Sequence, residues 1–223
     1  MYNPPSFAVE DAAGVRALLD AQGFGHLVTV DADSATPSAT AAPFLVDEGL
    51  RTVWLHLARA NGWWRQADGR AALLIVPGTD GYVSPRWYPS KAIDGKVVPT
   101  WNYEVVHVHG TVRVTQEASE LRAIVAALTD RFEAAQGAPA WSLDDAPDEY
   151  VDTMLRGIVG VELTVERIDA KRKLSQNRPV DDVRGVVAGL RAPAGPRSPA
   201  GAAAATAQRH RLADAVEDAN RHR

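Results

Sequence analysis

The 223-residue sequence contains no cysteine. That absence excludes disulfides, thiolate metal sites, iron–sulfur clusters and a cysteine nucleophile. Long apolar runs are missing too. No segment approaches the roughly 18 consecutive apolar residues that a membrane-spanning helix needs. Met1–Phe7 lacks the charged-then-apolar pattern of a secretion signal. The expectation is a cytoplasmic protein with no membrane partner. Excess basic charge is also absent, the formal net charge being −4. A nucleic-acid-binding domain normally carries a basic footprint, so the charge balance does not favour DNA as a partner, although a local patch stays compatible with it. No G-x-S-x-G elbow, glycine-rich phosphate loop or HExxH helix occurs. The paired acids Asp144-Asp145 and Asp181-Asp182 read as turns and helix N-caps. No catalytic residue and no metal site are assigned.

Lysine is scarce. Only four of the 24 Lys and Arg residues are lysines, and Lys91, Lys96, Lys171 and Lys173 fall in two short stretches. An ammonium is a compact point charge that a planar guanidinium does not replace; chance clustering in an arginine-rich chain is the plain alternative. Phenylalanine is outnumbered by tryptophan, four against six. Tryptophan offers a large flat surface with one N–H donor, suited to cores and to stacking on planar ligands.

What is present is 46% hydrophobic residues, enough for a core. Apolar spacing predicts helices over 10–22, 119–135, 148–157 and 181–190. Alternation predicts strands over 26–30, 39–46, 51–58, 71–76, 104–114 and 158–168. In the 104–114 strand Val106, Val108, Val112 and Val114 share one face, and His107, His109, Thr111 and Arg113 the other. Residues 81–103 read as one long loop rich in Pro, Trp and Tyr, and 171–178 as polar and irregular. An Ala/Pro/Gly-rich linker is expected over 191–207 and a terminal helix over 208–223, after a domain spanning 1–190. Short, mostly antiparallel strands with helices around them make an α+β barrel or sandwich.

Four segments could carry chemistry. The 51–58 strand delivers Arg59 and Asn61 into a loop, with His56 on the strand face of Trp54. An arginine fork there suits a phosphate; a surface Arg beside a core-flanking His is the plain reading. The 84–103 segment combines lysines, tryptophans, tyrosines and hydroxyls, which suits a planar heterocycle, or a loop burying its own aromatics. His107 and His109 share a face and could bind a metal, but a structural pair is commoner. Lys171-Arg-Lys-Leu-Ser-Gln-Asn-Arg178 is an anion site or a solvated turn.

Taken together, these segments resemble the PaiB family of FMN-binding negative transcriptional regulators. The resemblance runs through Met1-Tyr2, Pro5-Ser-Phe7, Leu27-Val-Thr29, His56-Leu-Ala-Arg-Ala-Asn61, Tyr82-Val-Ser-Pro85 and Trp87-Tyr88. It is strongest at Val98-Pro-Thr-Trp-Asn-Tyr103 with Val106-His-Val-His-Gly110, and closes at Lys173-Leu-Ser-Gln-Asn-Arg178. Gly62 departs from it, standing where the family tends to have proline. The resemblance implies a split β-barrel like that of pyridoxamine-phosphate oxidases and flavin reductases, with peripheral helices, working as a homodimer with FMN in the groove between subunits. By the same resemblance Arg59 contacts the FMN phosphate, helped by His56 and Asn61. Trp101 and Asn102 line the ring or the groove. Lys173, Ser175, Gln176 and Asn177 reach the other subunit's cofactor. Regulation is the function implied, with an FMN-dependent oxidoreductase acting on a small molecule as the alternative.

Overall fold

The computed structural model describes residues 1–31, 34–193 and 202–222. Eight strands form one antiparallel sheet in the order β3-β2-β6-β7-β8-β5-β4, with β1 paired to β8. They are β1 (Ala8–Val9), β2 (Phe24–Val30), β3 (Pro37–Pro43), β4 (Leu45–Val46), β5 (Thr52–Ala58), β6 (Ala71–Val83), β7 (Thr100–Thr115) and β8 (Ile158–Lys173). The helices are α1 (Ala12–Asp20), α2 (Lys91–Asp94), α3 (Ala118–Glu133), α4 (Asp148–Leu155), α5 (Val180–Arg191) and α6 (Ala202–Ala219). This is the expected α+β class. The chain divides into two compact units: Leu19–Val76 with His107–Ile168, and Met1–Leu18 with Pro77–Val106 and Asp169–Arg223.

In the first unit the period-2 pattern decides the core. Val53, Leu55 and Leu57 of β5 are buried, as are Val159, Val161 and Leu163 of β8. The two strands pair with His56 opposite Gly160 and Trp54 opposite Glu162. Directly opposed residues share a face, and a Cβ at Gly160 would press on Leu121 and Ile124 of α3. The His56 face is therefore the one α3 covers. Leu121 also packs with Val151 and Leu155 of α4. On β7, Val106, Val108 and Val112 are buried as expected, but Val114 is not and Thr115 is. The Val114 N–H donates instead to the Asp68 carboxylate at 2.8 Å, and the alternation shifts there.

In the second unit α5 and α6 enclose an apolar core with Val83, Tyr88 and Leu174, to which α6 contributes Leu212, Ala213 and Val216. The terminal helix thus starts ahead of the expected residue 208, and residues 194–201 of the expected linker lie outside the described residues. Trp87 lies on α5 so closely that a Cβ at Gly185 or Gly189 would overlap it. Asp145 takes the expected turn role, accepting the Ser142 N–H at 2.7 Å. Asp181 and Asp182 do not cap α5, whose N-cap is Pro179 with no side-chain cap hydrogen bond; Asp182 lies buried in the first turn and accepts the Ser90 N–H at 3.0 Å and hydroxyl at 2.7 Å.

Two expectations are corrected. The long 81–103 loop is shorter, because β6 runs on to Val83 and β7 begins at Thr100. Pro77 does not end β6: its pairing with β2 stops at Ile75, so the missing proline N–H removes nothing from that ladder. Lys171–Lys173 is strand rather than irregular. Its partners come from the far N-terminus, Ala8 opposite Lys171 and Val9 opposite Ala170, and the Arg172 N–H donates to the Phe7 carbonyl at 2.8 Å.

Candidate functional site

The first unit holds His56, Arg59 and Asn61. Arg59 leaves β5 with each of its three guanidinium nitrogens engaged by one hydrogen bond. Its Nε donates to the Arg156 carbonyl at 2.8 Å, one terminal nitrogen to the Ile158 carbonyl at 3.0 Å, and the other to the Gln116 side-chain oxygen. Its backbone N–H donates to the Gly157 carbonyl at 2.8 Å. The side chain thus clasps the α4–β8 junction, and faces a hollow of about 230 Å³ shared with Gln116, Asp152 and Arg156.

Asn61 looks elsewhere. Its Nδ2 donates to the Thr40 hydroxyl at 3.1 Å, which also accepts the Trp63 indole N–H at 3.2 Å. Residues 62–66 then make a 3₁₀ turn, and a cavity of about 260 Å³ opens beside it, lined by Thr29, Ser38, Trp63, Gln66 and Arg70 among others. Arg65 stacks 4.8 Å from the Trp64 ring centroid. Among the described residues, neither Arg65 nor Arg70 forms an ion pair. The sequence reading missed Thr40, Trp63 and Arg70. Thr40 carries no motif signal, whereas Trp63 and Arg70 flank a loop already marked by Asn61-Gly62.

His56 Nδ1 is buried without a hydrogen-bond partner among the described residues. Burial holds its pKa below the ordinary value of about 6.5. As pH falls, the unfolded chain binds this proton before the folded one, so stability is highest above about pH 6.5 and declines as pH drops through the folded-state value. Urea midpoints should therefore fall from about pH 7.5 to about pH 5.5, and a His56→Gln variant should show a smaller fall. An equal fall in both would remove His56 as the cause.

The second unit holds the other candidates and brings four of them together in two pairs. Lys173 Nζ donates to the Trp101 carbonyl and the Thr100 hydroxyl, both at 2.6 Å. Asn102 is fully buried and donates from Nδ2 to the Ser175 hydroxyl at 2.9 Å, while its Oδ1 has no partner among the described residues. Ser175 sits at φ +68°, a left-handed conformation that costs a non-glycine residue strain and marks functional sites more often than chance. Burial lowers the pKa of Lys173, and the neighbouring cations Lys171 and Arg178 lower it further. Lys171 is itself buried, donates to the Tyr2 carbonyl at 3.0 Å and lies over the Tyr2 and Tyr103 rings. Among the described residues, neither lysine meets a carboxylate. Trp101 is about half exposed (51%), with its indole N–H on Asp80 at 3.0 Å. Gln176 is spent on its own turn, accepting the Leu174 N–H and donating to the Arg172 carbonyl. Asn177 is exposed.

These residues suit a phosphorylated planar heterocycle. There are aromatic faces, ammonium groups without carboxylates, and a buried amide oxygen, Asn102 Oδ1, awaiting a donor. The family described as "Putative FMN-binding domain" matches residues 1–167. The chain belongs to that family. The protein is 31% identical to the Bacillus subtilis "Protease synthase and sporulation protein PAI 2" over 191 residues, covering 84% of this chain and 87% of that one. This is the PaiB family to which the motifs pointed, and FMN is its cofactor. Among solved structures, the FAD and heme binding protein of Mycobacterium smegmatis is similar, with a TM-score of 0.57 and 19% identity over 87% of this chain and 91% of that one. The flavocytochrome Anf3 of Azotobacter vinelandii has a TM-score of 0.55 and 16% identity over 74% of this chain and 68% of that one. These likenesses show the fold alone, a split β-barrel. Among the described residues no helix is long and apolar enough to cross a membrane.

Proposed function

We propose that this FMN-binding protein is a PaiB-type negative transcriptional regulator, acting as a cytoplasmic homodimer. The observation that carries the FMN reading is the pair of uncompensated ammonium groups, Lys171 and Lys173, beside half-exposed Trp101. When bound, FMN supplies hydride or electron transfer. The chain's own residues bind and orient it. Arg59 is the proposed phosphate ligand, its Gln116-bonded nitrogen being the one a phosphate oxygen can take over, because Gln116 is neutral. Asn61, bonded to Thr40, and His56, on the face that α3 covers, are its proposed helpers. Trp101 offers a stacking face. Lys173, with two of its three protons committed, keeps one for an anionic oxygen. Exposed Asn177 and the Asn102 Oδ1 are the remaining proposed contacts, with buried Ser175 holding Asn102 and Gln176 holding the turn that carries them. With a net charge of −4, DNA contact would rest on a local basic patch. An FMN-dependent oxidoreductase is the second reading, favoured by the exposed face of Trp101, which a small molecule could reach.

The test is spectroscopic. The purified protein should carry or take up FMN and elute as a dimer. Flavin that bleaches on adding reduced nicotinamide cofactor selects the oxidoreductase; flavin that stays oxidised, with salt-sensitive retention on promoter DNA, selects the regulator. Arg59→Ala should weaken FMN binding by about 1.5–3 kcal/mol, as expected for a charge-assisted contact. Unchanged FMN affinity, with only folding stability lowered, would confine Arg59 to the α4–β8 clasp.

A further inference from the structure

Trp101 has a large exposed face but is not free to turn. Its indole N–H is held by Asp80 Oδ1 at 3.0 Å, and Tyr82 meets its ring edge-on at 6.3 Å. Asp80 is held in turn from α6. Gln208 Nε2 donates to the Asp80 carbonyl at 3.1 Å and reaches Oδ2 at 3.4 Å. Among the described residues no cation pairs with the Asp80 carboxylate, so Gln208 and the indole are the donors that fix it.

The helix that carries Gln208 is itself immobilised. Leu212, Ala213 and Val216 are fully buried, and a Cβ on Gly81 would come within 2.7 Å of Leu212 Cδ2. Arg209 donates to the carbonyls of Gly189 and Leu190 at the end of α5, and Asn220 donates to the Leu174 carbonyl at 3.0 Å. All of α6 lies beyond residues 1–167, the segment that matches the family.

We propose that Gln208 and Asp80 are positioning residues through which α6 sets the pose of Trp101 for the flavin. This rests on Trp101 lining the flavin site. An aromatic wall already held in its bound orientation loses less rotational freedom when the ligand arrives, so binding is tighter without any new contact. Without Gln208, Asp80 gains rotamer freedom, and water competes for its bond to the indole.

The test uses the full chain, Gln208→Ala, Trp101→Phe and the double variant. Flavin fluorescence on FMN titration gives affinity. The Trp101 indole N–H resonance, identified by its loss in Trp101→Phe, reports the pose. Gln208→Ala should shift or broaden that resonance and weaken FMN roughly three- to tenfold. The double variant should bind no worse than Trp101→Phe alone, because the effect passes through the indole. Gln208→Lys, whose ammonium can reach the same carboxylate, should restore both readouts. An unmoved indole resonance in Gln208→Ala overturns the proposal, as does an equal loss of FMN affinity in the Trp101→Phe background. If Trp101→Phe itself binds FMN like the parent, the role of Trp101 at the flavin fails instead; the indole resonance then decides separately whether α6 holds the side chain.

Discussion

Replacing Gly110 with alanine is expected to lower stability by about 3 kcal/mol or more. Gly110 stands on β7 against β8, and a Cβ there would overlap the carbonyl oxygen of Thr164 and press on Leu163. The obstacle is backbone of a neighbouring strand, which cannot swing away as a flexible side chain would. Relief would require β7 and β8 to separate, with loss of the packing of Val108, Val112, Val161 and Leu163. A contrast sits at Gly69. It has φ +71° and none of the described residues within 4 Å of an added Cβ, so Gly69→Ala meets only the backbone preference, about 1–2 kcal/mol. Urea unfolding followed by far-UV circular dichroism measures both. Comparable losses at the two glycines would mean that β7 and β8 yield easily there. The glycine that closes Val-His-Val-His-Gly110 thus has a packing reason to be a glycine, independent of any cofactor.

Leu212→Ala is expected to cost about 2–5 kcal/mol, the range for emptying a fully buried leucine site. Leu212 has no exposed surface and belongs to the same core as Val83, Leu174, Val186 and Leu190. A helix merely appended to a finished domain would lose far less. The midpoint of urea denaturation gives the value, and amide exchange on α5 gives its location. Faster exchange should appear over Val180–Arg191, because α6 covers that helix. A loss below about 0.5 kcal/mol would place α6 among peripheral elements.

Several features were legible from sequence because they are local. The alternation of Val53, Leu55 and Leu57 announced β5 and its buried face. The periodicity of Leu121, Ile124 and Leu128 announced α3. Both depend on spacing within one element, which no distant partner alters. The extension of β8 to Lys173 was not legible. Three consecutive cations, Lys171-Arg172-Lys173, break any apolar alternation there, and the strand exists because residues 7–9 pair with it from some 160 positions away. The end of the alternation at Val114 was equally hidden, since it depends on the side chain of Asp68.

The candidate site divides in the same way. Chemical character was readable: the segments at His56–Asn61, Trp101–Asn102 and Lys173–Asn177 were singled out by residue type and by likeness to a family that the comparison over residues 1–167 shows. Partners were not readable. Arg59 looked like a free fork, but three carbonyl-type oxygens have claimed it, because the end of β5 meets the start of β8. Gln176 looked like a ligand donor and is consumed by its own turn. Asn102 and Ser175, 73 residues apart, become one hydrogen-bonded pair.

The sequence by itself determined which stretches alternate, which are amphipathic and which family they belong to, since these are properties of neighbours along the chain. Only the tertiary structure decided which donors are already committed, that Lys171 and Lys173 face no carboxylate among the described residues, and that a C-terminal helix reaches Asp80. Hydrogen-bond capacity and charge compensation are settled by whatever lies across the packing interface. That depends on how the elements come together, which spacing along the chain does not encode.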